Sequence, residues 1–150
     1  MPNSNWSILS SLQIGRYAEY YAKMEVASYG FEVYTSEVDD HGIDFIAKSK
    51  SGRYSEFQVK SLRKPGYVFM VRTKWNINNP NLYLILLLFY DCELPHAYLI
   101  PATAWNTTNE LFCNRDYAKL RSKPEYGLNL SKRNMHLLDP YIMDVAIKQL

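Results

Sequence analysis

The chain has 150 residues, of which 47% are hydrophobic and 15% aromatic, and this composition excludes an extended disordered protein. Its formal charge of +2 does not by itself indicate a polyanionic partner, so any basic surface must be local. We expect one domain over residues 1–150.

The N-terminal segment lacks the basic and apolar regions of a secretion signal, and the longest apolar run, Leu82 to Tyr90, is nine residues. A membrane-spanning helix needs roughly 20 apolar residues. Two cysteines without metal-ligand spacing fit a reducing compartment. We therefore expect a cytoplasmic protein without a membrane partner.

The first elements are predicted by apolar spacing. Helical spacing from about Gln13 to Tyr29, followed by Gly30, predicts a first helix, and Phe31 to Thr35 predicts a short strand. The segment VDDHG then provides turn residues. Ile43 to Lys48 and Tyr54 to Ser61 flank a glycine-containing loop and predict a β-hairpin.

The later elements alternate with polar loops. Tyr67 to Arg72 predicts a fourth strand after the Pro65-Gly66 turn, and Leu82 to Tyr90 predicts a buried strand. Further predictions are a strand at Ala97 to Ile100, a short helix that follows Pro101, and a final helix from Asp139 to Leu150.

The hairpin is the part of the sequence that indicates chemistry. A three-residue loop, Lys50 to Gly52, with glycine in the left-handed conformation, puts Asp44 directly opposite Gln58. Lys60 lies two residues further along the same face, and Glu56 two residues before Gln58. An acid, an amide oxygen and an ammonium close together suit phosphodiester hydrolysis around Mg²⁺.

Three segments resemble the ordered motifs of PD-(D/E)XK nucleases: GRYAEYYA in the first helix, GIDF in the second strand and EFQVKS in the third. The resemblance covers about residues 13 to 62, with a weaker echo in AYLIPATAW. It is greatest to the branch that contains bacterial group I intron homing endonucleases.

The resemblance implies an α/β restriction-endonuclease-like core, a mixed central sheet flanked by helices, with a β-hairpin or loop extension. It implies Glu19, Asp44, Gln58 and Lys60 as catalytic residues, with the first three holding Mg²⁺ or a substituting Mn²⁺. The usual acid of the second motif position is replaced here by Gln58, which removes one negative charge from the metal site. Glu56, on the same strand face, is the alternative ligand.

A basic segment after the hairpin contains no acidic residue between Lys60 and Lys74 and predicts a phosphate-contacting ribbon. Arginine and asparagine in such a ribbon can also read base edges. The predicted DNA-binding residues are Arg63, Lys64, Arg72, Lys74, Asn76 and Asn78, with Asn79 beside them. A second basic cluster comprises Arg115, Lys119, Arg121, Lys123, Lys132 and Arg133.

These features lead to the hypothesis of a site-specific endonuclease that cuts double-stranded DNA as a homo-oligomer, a dimer or a tetramer, with intron homing as the first role. The alternatives are a Holliday-junction resolvase, a restriction-type nuclease, and a catalytically silent DNA-binding module. The last alternative follows from the neutral Gln58.

Overall fold

The computed structural model describes residues 1–37, 41–118 and 120–150. Most of the predicted VDDHG turn falls on residues 38–40, and the basic-cluster position Lys119 is also outside the described residues. Within the described ranges, no helix has the length and apolarity that crossing a membrane requires.

Helix α1 spans Ser11–Ser28 and confirms the predicted first helix. It begins two residues before the predicted start because Ser10 and Gln13 form a capping box: the Gln13 N–H donates to Ser10 Oγ, and the Ser10 N–H donates to Gln13 Oε1. Its buried stripe is Ile14, Ala18, Ala22 and Val26.

The strands of the described part of the chain form two sheets. In chain order they are β1 Glu32–Tyr34, β2 Phe45–Lys48, β3 Tyr54–Leu62, β4 Tyr67–Val71, β5 Leu82–Leu88, β6 His96–Pro101, β7 Phe112–Arg115 and β8 Glu125–Asn129. The main sheet has the order β1-β2-β3-β5-β6, in which β3 and β5 pair in parallel and the other neighbours are antiparallel.

Each face of the main sheet has its own covering. Helix α1 and residues near the C-terminus pack against the face that contains Phe57 and Ile85. The second sheet, antiparallel in the order β4-β8-β7, packs against the face that contains Leu84 and Leu86. Because both faces are covered, every residue of β5 is buried.

The predicted α/β class with a mixed central sheet is therefore confirmed. The second sheet occupies the face where a further layer of helices was expected. Its strand β4 was predicted, but β7 and β8 were not.

The predicted final helix, Asp139 to Leu150, is wrong as a single element. A 3-10 helix spans Met135–Tyr141, α2 spans only Met143–Ala146, and a second 3-10 turn spans Ile147–Gln149. The break is at Ile142, whose extended backbone forms an isolated bridge with Tyr98. Pairing with the edge of the main sheet therefore overrides the helical spacing.

Candidate active site

The β2–β3 hairpin has the predicted register. The Ser49 N–H donates to the Arg53 carbonyl at 2.8 Å, and Gly52 has a φ of +90°, so the loop has three residues with a left-handed glycine. The paired residues run from Lys48 and Tyr54 to Phe45 and Phe57. The predicted pairing of Asp44 with Gln58 lies one step beyond them and stays a prediction.

Asp44 lies just before β2 and is anchored to β3 twice. Its N–H donates to the Phe57 carbonyl at 2.8 Å, and its Oδ2 accepts the Val59 N–H at 2.6 Å. The second bond replaces a backbone ladder bond by a stronger, charge-assisted bond. The carboxylate is thereby held against β3, between the positions of Gln58 and Lys60.

Gln58 has a buried side-chain oxygen, Oε1, without a hydrogen-bond partner among the described residues. An unsatisfied buried carbonyl costs about 1–3 kcal/mol, so it indicates a missing partner. A hard cation such as Mg²⁺ takes oxygen ligands from carboxylates and amide carbonyls. Gln58 and Asp44 together therefore fit the protein share of such a site, with water and phosphate as the remaining ligands.

Lys60 follows Gln58 on the same face of β3 and is only partly exposed. Burial lowers the pKa of its ammonium below the usual value, and the negative charge of Asp44 opposes that shift. The backbone geometry agrees, because the Asp44 carboxylate is bonded to the Val59 N–H, one residue before Lys60. Lys60 Nζ also lies 5.9 Å from the centre of the Phe69 ring on β4.

Glu19, the predicted helix ligand, lies on α1 and forms an ion pair with Arg16 at 3.0 Å. Helix α1 packs on the face of Phe57 and Val59, whereas the alternation of β3 puts Gln58 and Lys60 on the other face. Across the described ranges, no three or more His, Cys, Asp or Glu side chains group together to hold a metal. A metal role for Glu19 remains a prediction.

Glu56, the alternative ligand, already has a partner. Its Oε2 accepts a hydrogen bond from Asn79 Nδ2 at 3.3 Å, which ties β3 to the loop before β5. It also lines a cavity of about 350 Å³ beside the site, together with residues of the segments before β2 and after β4. These include Ser36, His41, Ile43, Thr73, Lys74 and Asn76.

Several predicted DNA-binding residues are engaged within the protein. Arg63 Nη2 donates to the Leu9 carbonyl at 2.5 Å. Arg72 binds Asn114, lies 3.7 Å from Asp116 and stacks on Tyr126. These contacts give both arginines structural roles.

The other predicted DNA-binding residues are exposed: Lys64, Lys74, Asn76 and Asn78. Asn76 Oδ1 accepts the Asn78 N–H at 3.0 Å, so it shapes the loop as well. Trp75, which interrupts the basic segment, is not on the ribbon surface. It is buried against Trp105, with ring centroids 5.6 Å apart.

The sequence reasoning missed one close approach, in which the segment after β4 comes back to the hairpin. A Cβ on Gly42 would lie 3.6 Å from Lys74 Cδ and 3.9 Å from Gln58 Nε2. Lys74 of the basic segment and the Gln58 amide therefore both lie close to Gly42. The sequence signal for this approach was the glycine of the His41-Gly42 turn. Gly42 has a φ of +74°, a backbone conformation that glycine adopts readily.

No protein-family model matches this chain, and no curated protein matches it. Among solved structures, it is similar to the bacterial homing endonuclease I-Ssp6803I, with 19% identity, a TM-score of 0.49, and coverage of 82% of this chain and 78% of the other. It is also similar to Hjc, a Holliday junction resolvase of Archaeoglobus fulgidus, with 11% identity, a TM-score of 0.47, and coverage of 77% and 83%. The fold class rests on the sheet topology, and the candidate site rests on its own geometry.

Proposed function

We propose that the chain is a metal-dependent DNA endonuclease with Asp44, Gln58 and Lys60 at its cleavage site. The observation that carries this proposal is the buried, unpartnered Oε1 of Gln58, next to the residue whose N–H binds the Asp44 carboxylate and two residues before the partly buried Lys60. Oxygen ligands and an ammonium on one strand face suit the charge that develops at a phosphate during hydrolysis.

In this mechanism Asp44 and Gln58 would hold Mg²⁺, for which Mn²⁺ can substitute. The ion supplies charge neutralisation and water activation. The bond from the Val59 N–H keeps the Asp44 carboxylate oriented before DNA arrives. The Lys60 ammonium donates to the scissile phosphate or to the attacking water, and its partial burial strengthens that interaction.

Within this proposal, the substrate is double-stranded DNA with a specific site, and intron homing is the first role. One such site cuts one strand, so a homo-oligomer, a dimer or a tetramer, supplies the second cut. The exposed Lys64, Lys74, Asn76 and Asn78 contact the duplex. The metal role of Glu19 remains a prediction, because α1 covers the other face of the sheet. We place this activity in the cytoplasm, in a single domain.

The test is cleavage of supercoiled plasmid and long linear duplex by purified protein with Mg²⁺, Mn²⁺ or a chelator. Asp44→Ala and Lys60→Ala should both abolish the metal-dependent cuts. Lys23→Ala, on α1, is the matched control and should cut like the wild type. A four-way junction and a short palindromic duplex, assayed in parallel, identify a resolvase or a restriction-type enzyme.

The rival is a catalytically silent DNA-binding module, which the neutral Gln58 favours. It predicts shifted but uncut DNA with every metal and substrate. If the wild type cuts and Asp44→Ala cuts equally well, the assigned site is wrong.

A further inference from the structure

One side of the second sheet faces away from the protein core, and we call it the platform. It is formed by Tyr67, Phe69, Gly127 and Arg115. In β4, Val68 and Met70 are buried in the core, so the alternating Tyr67 and Phe69 point outward. Phe69 pairs with Gly127 across to β8, and β7 adds Arg115 at the far side.

In the platform, the Tyr67 ring lies directly over the bare glycine Gly127. A Cβ on Gly127 would lie 2.1 Å from Tyr67 Oη, so only glycine accommodates this ring position. The Tyr67 hydroxyl donates to Glu125, and the Arg115 guanidinium lies 4.0 Å from the ring centre. The Glu125 carboxylate is thus paired and buried, whereas Arg115 is exposed.

Phe69 is the exposed part of the platform. Its side chain is 47% exposed, and its ring is nearly parallel to Tyr67 with centroids 6.3 Å apart. Lys60 Nζ lies 5.9 Å from the Phe69 ring. The platform is therefore continuous with the candidate active site, and the two are joined through Lys60.

We propose that the platform binds an unstacked base of the DNA strand whose phosphate lies at Lys60, with the base stacked on Phe69. This inference rests on the proposed function. An exposed aromatic ring with cations at both sides matches a nucleotide, because the ring takes the base and the cations take the phosphates. The interior of a duplex offers no base face, so the strand must be unpaired or distorted beside the cleaved phosphate. The substrate class is thus DNA with displaced nucleotides at the cut.

The test is equilibrium binding in the presence of a chelator, so that no cleavage occurs. The probes are a fully paired duplex and the same duplex with a short internal bubble that contains 2-aminopurine, whose fluorescence falls when it stacks on an aromatic ring. The wild type should bind the bubble more tightly and quench it. Phe69→Leu, which keeps an apolar side chain without an aromatic ring, should lose the quenching and weaken bubble binding about tenfold.

Tyr54→Ala is the matched control. Tyr54 is 53% exposed with Lys48 Nζ 5.7 Å from its ring, so it forms a similar aromatic and cation pair at the other end of β3. It should bind and quench like the wild type, and Phe69→Trp should restore both signals. Thermal melting of each variant establishes that it is folded.

Unchanged quenching and affinity in Phe69→Leu would overturn the inference, as would an equal loss in Tyr54→Ala. The proposed function fails separately, through metal-dependent cleavage that survives Asp44→Ala or through the lack of any cleavage. Because the binding assay contains no metal, its result reports on the platform alone.

Discussion

Replacing Gln58 by glutamate is the most direct test of a cation site. The Asp44 carboxylate is bonded to the Val59 N–H, one residue from Gln58, and Cβ atoms of neighbouring paired strands lie about 5 Å apart. Gln58→Glu would therefore set a second carboxylate at roughly that separation from Asp44. At an effective dielectric constant of about 20, like charges roughly 5 Å apart repel by about 3 kcal/mol. Without metal, the variant should therefore lose up to about 3 kcal/mol of unfolding free energy at neutral pH.

For a protein of this size that loss corresponds to a melting temperature roughly 6–12 °C lower. The deficit should shrink as pH falls, because protonation of one carboxyl removes the repulsion. A divalent cation should also remove it, so Mg²⁺ should raise the melting temperature of Gln58→Glu more than that of the wild type. Calorimetric melts over a MgCl₂ series measure both effects.

Gln58→Met is the control because it removes the unpartnered oxygen and keeps the length of the side chain. It should be more stable than the wild type by about 1 kcal/mol and should not respond to Mg²⁺ at this site. The reasoning is refuted if metal-free Gln58→Glu melts with the wild type. It is equally refuted if Mg²⁺ stabilises Gln58→Glu no more than Gln58→Met.

Three further predictions concern the same region. Asp44→Asn retains an oxygen acceptor for the Val59 N–H, so its unfolding free energy should lie within about 1 kcal/mol of the wild type. It should nevertheless cut plasmid at least about 100-fold more slowly, and cleavage at the wild-type rate would exclude Asp44 from the site. Burial lowers the pKa of Lys60, so wild-type stability should rise relative to Lys60→Met as pH approaches the ordinary value of 10.5, measured as the difference between their denaturant curves. A constant difference would contradict this. Gly127→Ala should cost about 1–3 kcal/mol through its clash with Tyr67, and much less in a Tyr67→Ala background; additive losses in a double-mutant cycle would disprove the clash.

The hairpin was predictable because its register is set within a few residues. The loop glycine fixes the turn, and the alternation of Phe57 and Val59 with Gln58 and Lys60 fixes which side chains share a face. The resemblance to nuclease motifs concerns this same local segment. The register of the hairpin therefore followed from the sequence.

The second sheet could not be predicted in the same way. Strands β7 and β8 have four and five residues, and β8 contains a glycine, so neither has a long apolar alternation. β8 pairs with both β7 and β4, and β4 lies more than 50 residues from β8 in the chain. The contacts of Arg72 with Asn114 and Tyr126 follow from this distant pairing, whereas the basic segment alone predicted that Arg72 binds DNA.

Two side-chain groups on β3 are energetically unfavourable in the folded protein, and they explain which ligands the candidate site would bind. β3 lies inside the main sheet, between β2 and β5, where an unsatisfied amide oxygen and a desolvated ammonium are each unfavourable. The Asp44 carboxylate offsets part of the cost of burying the Lys60 ammonium. It does not offset the cost of the unsatisfied Gln58 oxygen, because an ionised carboxylate has no proton to donate. Under the proposed function, a divalent cation would satisfy the Gln58 oxygen, and a phosphate would satisfy the Lys60 ammonium. A DNA phosphate bound together with the metal would therefore relieve both costs at once, which neither ligand would do alone.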